Sequence, residues 1–176
     1  DIDMVIILDA CRFDIMKRVI DEYGFITKIN EVWSIGGTSP EWMVNTFDKE
    51  YQDEISRSAY ITANPHSRSV FENRLTEHFR GSKGNNRLKD INRLHKYGSS
   101  SYVSADKFGF YHPVWAEQNP QEKEYYELYG SPRKVTDRAI HTDRNKNFDR
   151  MILHYMPPHT PYIINSIREN RNPRQY

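Results

Sequence analysis

Five consecutive apolar residues, Met4-Val5-Ile6-Ile7-Leu8, constrain this chain more than any other feature. Val5, Ile6 and Ile7 are β-branched, and a short continuous run of this kind is the mark of a strand covered on both faces, as in a parallel sheet. The natural place for it is the centre of that sheet. Over residues 12–23 the apolar Phe13, Ile15, Met16, Val19, Ile20 and Tyr23 recur at helical spacing with Lys17, Arg18, Asp21 and Glu22 between them, and Gly24 closes the pattern. Residues 29–35 read as a second strand, 40–51 as a second helix, 59–63 as a third strand and 67–79 as a third helix. Such β-α-β-α-β-α alternation predicts an α/β fold, a three-layer α/β/α arrangement with a mainly parallel central sheet. Its ligands bind at the carboxyl ends of the strands.

Beyond residue 80 the pattern changes. Residues 81–109 are richer in Gly, Ser, Asn, Lys and Arg and carry few apolar positions besides Leu88, Ile91 and Leu94. They read as a surface insertion with one short helix, extending over 81–130. Residues 108–115 are aromatic and contain Pro113, 121–129 read as helical, and 135–141 open a further helix after Pro132. Residues 151–155 return to strand character and run into Met156-Pro157-Pro158-His159-Thr160-Pro161-Tyr162, whose prolines continue neither strand nor helix. The 176 residues suit a single domain, 1–176.

Composition removes several classes of function. Lys plus Arg total 25 against 24 for Asp plus Glu, and a net charge of +1 argues against a nucleic-acid partner held by bulk electrostatics. Apolar residues at 37% and aromatics at 13% exclude general disorder. Cys11, the single cysteine, excludes an internal disulfide and a multi-cysteine zinc cluster, and it fits a reducing compartment. No apolar run approaches the roughly 20 residues that span a bilayer, and no signal peptide is recognisable, so the expected location is cytoplasmic. The start at Asp1-Ile2-Asp3 and the stop at Arg174-Gln175-Tyr176 read as those of a fragment of a longer gene product.

Three segments carry residues suited to chemistry. In Leu8-Asp9-Ala10-Cys11-Arg12-Phe13-Asp14, Asp9 stands where a buried strand turns toward a helix, a position that suits a metal ligand and equally a helix N-cap. Arg12 and Asp14 read as a structural ion pair or an anion clamp, and Cys11 as a small buried residue before a nucleophile. In Ser34-Ile35-Gly36-Gly37-Thr38-Ser39-Pro40-Glu41-Trp42, two glycines allow close backbone approach to an anion, and the helix that follows offers free N–H groups. The same residues fit a capping box, with Thr38 as cap, Glu41 as its partner and Pro40 in the first turn. In the third segment, prolines bracket His159 just past a strand, where an imidazole can donate a proton or meet an anion. His66, in Asn64-Pro65-His66, reads as a turn residue.

Together these segments resemble the alkaline phosphatase superfamily, in particular its sulfatase-like branch with the lipoteichoic acid synthase and phosphoethanolamine transferase relatives. In that superfamily a metal-binding acid ends the first strand, here Asp9, and a hydroxyl nucleophile opens a helix about 30 residues later, here Thr38. A proline-flanked histidine, here His159, contacts the transferred anion. Thr38-Ser39-Pro40 does not match the Cys (or Ser) followed by a Pro and an Arg that a formylglycine nucleophile requires, so an unmodified hydroxyl is implied. The resemblance implies a divalent cofactor (zinc, manganese, calcium or magnesium) on Asp9 and Thr38. It also implies substrate contacts from Arg12, Gly37, Ser39 and His159. A further Asp-His pair would lie beyond Tyr176, so the 176-residue chain is expected to be the amino-terminal part and inactive alone.

The expected function is therefore a metal-dependent hydrolase or transferase acting on sulfate or phosphate esters, with a glycan or cell-envelope polymer among the candidate substrates. The alternative is a non-catalytic polyanion- or glycan-binding module that keeps the fold without a complete metal site. A nucleotide-binding domain is the weakest reading, since neither a Walker loop nor a Gly-x-Gly-x-x-Gly turn follows Leu8. Tyr97, Tyr102, Phe108, Phe110, Tyr111 and Trp115 offer surfaces for a sugar, although packing is their commoner use.

Overall fold

A computed structural model describes residues 3–72, 101–116 and 132–159, together with Glu169. Its centre is a four-stranded, all-parallel sheet of β1 (Asp3–Leu8), β2 (Ser58–Thr62), β3 (Phe110–Pro113) and β4 (Arg150–Tyr155), in the order β1-β4-β2-β3. Leu8 pairs with Tyr155, and Thr62 with both His154 and Pro113, so the carboxyl ends of all four strands finish along one rim. The ladders run one residue further: Asp9 N–H donates to Tyr155 O at 2.9 Å and Ala63 N–H to His154 O at 2.8 Å.

The helices are α1 (Phe13–Val19), α2 (Ser39–Thr46), α3 (Gln52–Ser56) and α4 (Pro132–Asn145). The alternation of side chains along β2 sorts them onto two faces. Tyr60 points to one face, where Met43, Val44 and Phe47 around α2 meet Val70, Phe71, Val103 and Phe108. Ala59 and Ile61 point to the other, against Val135 and Ala139 of α4 and Met151 and Leu153 of β4. Helices thus cover both faces, and the expected α/β architecture with a parallel sheet is what the chain adopts. Among the described residues no helix is long and apolar enough to cross a membrane.

Several expectations need correction. The first strand is at an edge of the described sheet, with β4 its only described neighbour, and Met4 and Ile6 are more than half exposed. An apolar run announces a strand but not how many neighbours it has. Residues 29–35 form no strand: they approach α2 as irregular chain, and Val32 and Trp33 stand almost fully exposed. The segment carries the apolar Ile29, Val32, Trp33 and Ile35, but among the described residues no strand lies beside it. The expected insertion over 81–130 contributes to the core within its described part. There β3 pairs with β2, Val103, Phe108 and Val114 are buried, and the segment is stitched to the end of α2 by Val103 N–H to Phe47 O at 2.9 Å. Pro113 is tolerated because it closes a strand on the sheet edge. The helical structure in the described part of that segment is two 3-10 turns, Ala105–Lys107 and Val114–Ala116.

The third helix begins as a π-helical turn, Arg68–Glu72, and its remainder, 73–79, lies outside the described residues, as do 81–100, the expected helix 121–129 and residues 160–162. Of the aromatics considered for sugar stacking, Tyr97 also lies outside. Phe108 and Tyr111 pack with Tyr60 and Phe71, and Trp115 Nε1 donates to Ser67 Oγ at 3.4 Å.

Phe47 is the hub of the first face, with ring contacts to Trp42, Tyr60, Phe71 and Phe108. Phe47→Ala should cost about 3–5 kcal/mol in urea unfolding. The surface change Ile140→Ala should stay within about 0.5 kcal/mol.

Candidate functional site

The turn after β1 places Asp9 at the rim of the sheet, and three other segments reach it there. Its Oδ2 accepts Ser39 Oγ–H from the start of α2 at 3.0 Å and Asn64 Nδ2–H from the turn after β2 at 2.6 Å. His154 Nε2, on β4, lies 3.4 Å from the same oxygen. His154 is buried, its Nδ1 stands 2.8 Å from the Tyr60 hydroxyl, and Trp42 packs edge-on against its ring at 5.6 Å. Asn64 is fixed from both sides: its N–H donates to Thr62 Oγ1, and its Oδ1 accepts the His66 N–H. Ala10, directly after Asp9, has a φ of 58°, the left-handed region, which costs a non-glycine residue on the order of 1–3 kcal/mol.

Burial works to raise the Asp9 pKa, but the hydrogen bond and electrostatic pull of His154, with the hydrogen bonds from Ser39 and Asn64, outweigh it and hold the carboxyl below its usual range. The result is a carboxylate that stays ionised. Such a group is a weak proton acceptor and a good partner for a cation or for oriented donors. Tyr60 is the opposite case, because complete burial pushes its phenol far above the ordinary range and keeps it neutral.

The start of α2 follows its capping signals. Thr38 is the N-cap, its Oγ1 accepting the Glu41 N–H at 3.3 Å, and Glu41 Oε2 in return accepts the Gly37 N–H at 2.8 Å. This arithmetic narrows the expected row of free amides: Gly37 and Glu41 are committed and Pro40 has no N–H. Among the described residues the N–H groups of Thr38 and Ser39 remain for an anion. Gly36 serves the protein's own packing, since a Cβ there would come within 2.3 Å of the Trp42 backbone nitrogen.

Asp9, Thr38, Ser39, Trp42, His154 and His159 line one cleft of about 530 Å³, along with Gly37, Cys11 and His66. The structure therefore brings together Asp9, Gly37, Thr38, Ser39 and His159. Arg12 is the exception. Its guanidinium is exposed, bound at 2.9 and 3.0 Å to the two Asp14 carboxylate oxygens, and outside the cleft lining. A partner two residues away captures the charge before it can face an anion. The hydroxyl in contact with Asp9 is that of Ser39, while Thr38 lies beside it as the cap. Sequence reasoning passed over Asn64 and the Tyr60–His154 pair. The available signal was position: Asn64 ends β2 as Asp9 ends β1.

Among the described residues, no group of three or more His, Cys, Asp and Glu side chains could hold a metal ion. Asp9 and the hydroxyls of Thr38 and Ser39 line the same cleft and are hard oxygen donors of the kind that anchors a divalent ion such as magnesium or calcium, short of a full shell. Compared with known proteins, the chain matches no family model, no curated protein and no solved structure.

Since the Asp9 pKa is lowered in the fold, its ionised form stabilises the protein above the ordinary carboxylate range, and this contribution is lost as pH falls below about 4. Asp9→Asn should cost about 1–3 kcal/mol at pH 7 in urea unfolding, and the gap to the parent should shrink at pH 3. An equal gap at both pH values would contradict the ionised assignment.

Proposed function

We propose that the protein is a metal-dependent hydrolase or transferase acting on sulfate or phosphate esters, with the cleft at the carboxyl rim of the sheet as its active site. The observation that carries this reading is an ionised carboxylate, Asp9, bonded to the hydroxyl-bearing first turn of a capped helix, beside free amides and His159. A base would need a higher pKa than Asp9 has, so its role is to hold positive charge and to fix the helix start. The resemblance of these same segments to the alkaline phosphatase superfamily supports the reading.

In this mechanism Thr38 attacks. Its Oγ1 accepts one amide N–H and keeps a proton and a lone pair, whereas the Ser39 hydroxyl is spent on Asp9. Attack forms a Thr38 Oγ1 bond to phosphorus or sulfur, with the hydroxyl proton passing to solvent water, as the ester oxygen leaves with a proton from His159. Water then releases the acid, or a second hydroxyl compound accepts the group. The N–H groups of Thr38 and Ser39 receive oxygens of the tetrahedral group as negative charge builds on them. Asp9 would hold a divalent ion, which when bound would supply charge neutralisation and ease ionisation of the attacking hydroxyl. Esters of a glycan or a cell-envelope polymer are the substrates that suit an open cleft.

The test is hydrolysis of aryl phosphates and aryl sulfates by the full-length gene product with zinc, manganese, magnesium and calcium in turn. Turnover should depend on the ion, and Thr38→Ala should lower it by about three orders of magnitude or more. An active Thr38→Ala beside an inactive Ser39→Ala would move the nucleophile by one residue. No turnover with any ion, together with retained binding of a sulfated or phosphorylated polymer, would replace the enzyme with the binding module.

A further inference from the structure

We infer that Tyr60 is a positioning residue of this cleft: its buried hydroxyl holds the His154 imidazole with the Nε2 proton facing Asp9. The inference rests on the reading of Asp9 as the working carboxylate of the site, and it names what keeps that carboxylate in place.

Tyr60 lies in the middle of β2 with none of its surface exposed, and its ring packs against Phe47 at 4.8 Å, Phe108 at 5.6 Å and Phe71 at 6.0 Å. A phenylalanine would fill that aromatic cluster equally well without burying a hydroxyl, and burying one costs free energy unless it is bonded. The hydroxyl instead reaches 2.8 Å to His154 Nδ1. On its far side the same ring presents Nε2 at 3.4 Å to Asp9 Oδ2, the oxygen that already accepts from Ser39 Oγ–H and Asn64 Nδ2–H. The nitrogen facing it therefore carries the proton. With the proton on Nε2, the Tyr60 O–H is the donor that matches Nδ1. The two contacts select one tautomer and one ring orientation of His154. Without the phenol, Nδ1 would be left as a buried acceptor, and either a ring flip or a tautomer change would turn a lone pair or a C–H toward Asp9. Ser39 and Asn64 would then hold the carboxylate alone.

The experiment is nitrogen NMR of protein labelled with 15N-histidine, with the His154 signals identified by their loss in His154→Gln. The parent should show His154 as a single tautomer with the proton on Nε2. In Tyr60→Phe, which keeps the aromatic ring, that fixed pattern should give way to averaged Nδ1 and Nε2 shifts. In the full-length gene product kcat should fall about 10–100-fold with KM little changed. A parent spectrum with the proton on Nδ1, or His154 signals that coincide in parent and Tyr60→Phe, would overturn the inference. Absence of ester turnover in the parent would count against the proposed function, while the tautomer comparison would still decide the role of Tyr60.

Discussion

One carboxylate oxygen, Asp9 Oδ2, joins the ends of the segments that matter. Ser39 and Asn64 donate to it, His154 faces it, and the three come from the start of α2, the turn after β2 and the middle of the rim. A charge-assisted hydrogen bond contributes on the order of 1.5–3 kcal/mol, and a charge at 11% side-chain exposure requires such partners to offset its lost hydration. The strained Ala10 backbone beside it persists because these bonds over-determine the turn. Asp9 thus couples local conformation to the site.

Strand order makes that convergence possible. The chain passes from β1 to β2 while leaving a place between them, and β4, late in the sequence, fills it. His154 consequently stands between the segments of Asp9 and Asn64, with Tyr60 on the neighbouring strand within reach of its other nitrogen. The same alternation that sends Tyr60 toward α2 sends Ala59 and Ile61 toward α4, so one strand serves the site with one face and the second core with the other. The Phe47 cluster fixes α2 over that face, and its capped first turn delivers Thr38 and Ser39 to the cleft.

Local signals were legible and long-range ones were not. The strands at residues 4–8, 59–63 and 151–155 and the cap at Thr38 depend on runs of a few residues, and each is found within a residue or two of its expected place. Residues 29–35 carry apolar and β-branched residues, but a strand exists only where a neighbour supplies its hydrogen bonds, and Trp33 at 99% exposure has none of a strand's cover. β3 was hidden for the reverse reason: Pro113 and the polar stretch before it disguise a strand that its pairing with β2 creates. In the site, Asp9, Thr38, Ser39 and His159 were visible as strand-end and helix-start residues. Arg12 pairs with Asp14, two residues along the same chain, the ion pair that was one of the two readings of this segment. Asn64 and the Tyr60–His154 pair become partners of Asp9 only once β4 lies between β1 and β2, and no short-range pattern encodes that order.

The central claim is that Asp9 and the first turn of α2 form a site for a tetrahedral anion beside a cation. Crystals of the full-length gene product grown with manganese and orthovanadate test it most directly, since the anomalous signal of manganese locates the ion and vanadate mimics the transferred group. The account predicts manganese on Asp9 and vanadate against Thr38 Oγ1 and the Ser39 N–H. Manganese and vanadate bound together elsewhere, with the cleft holding water alone, would contradict it.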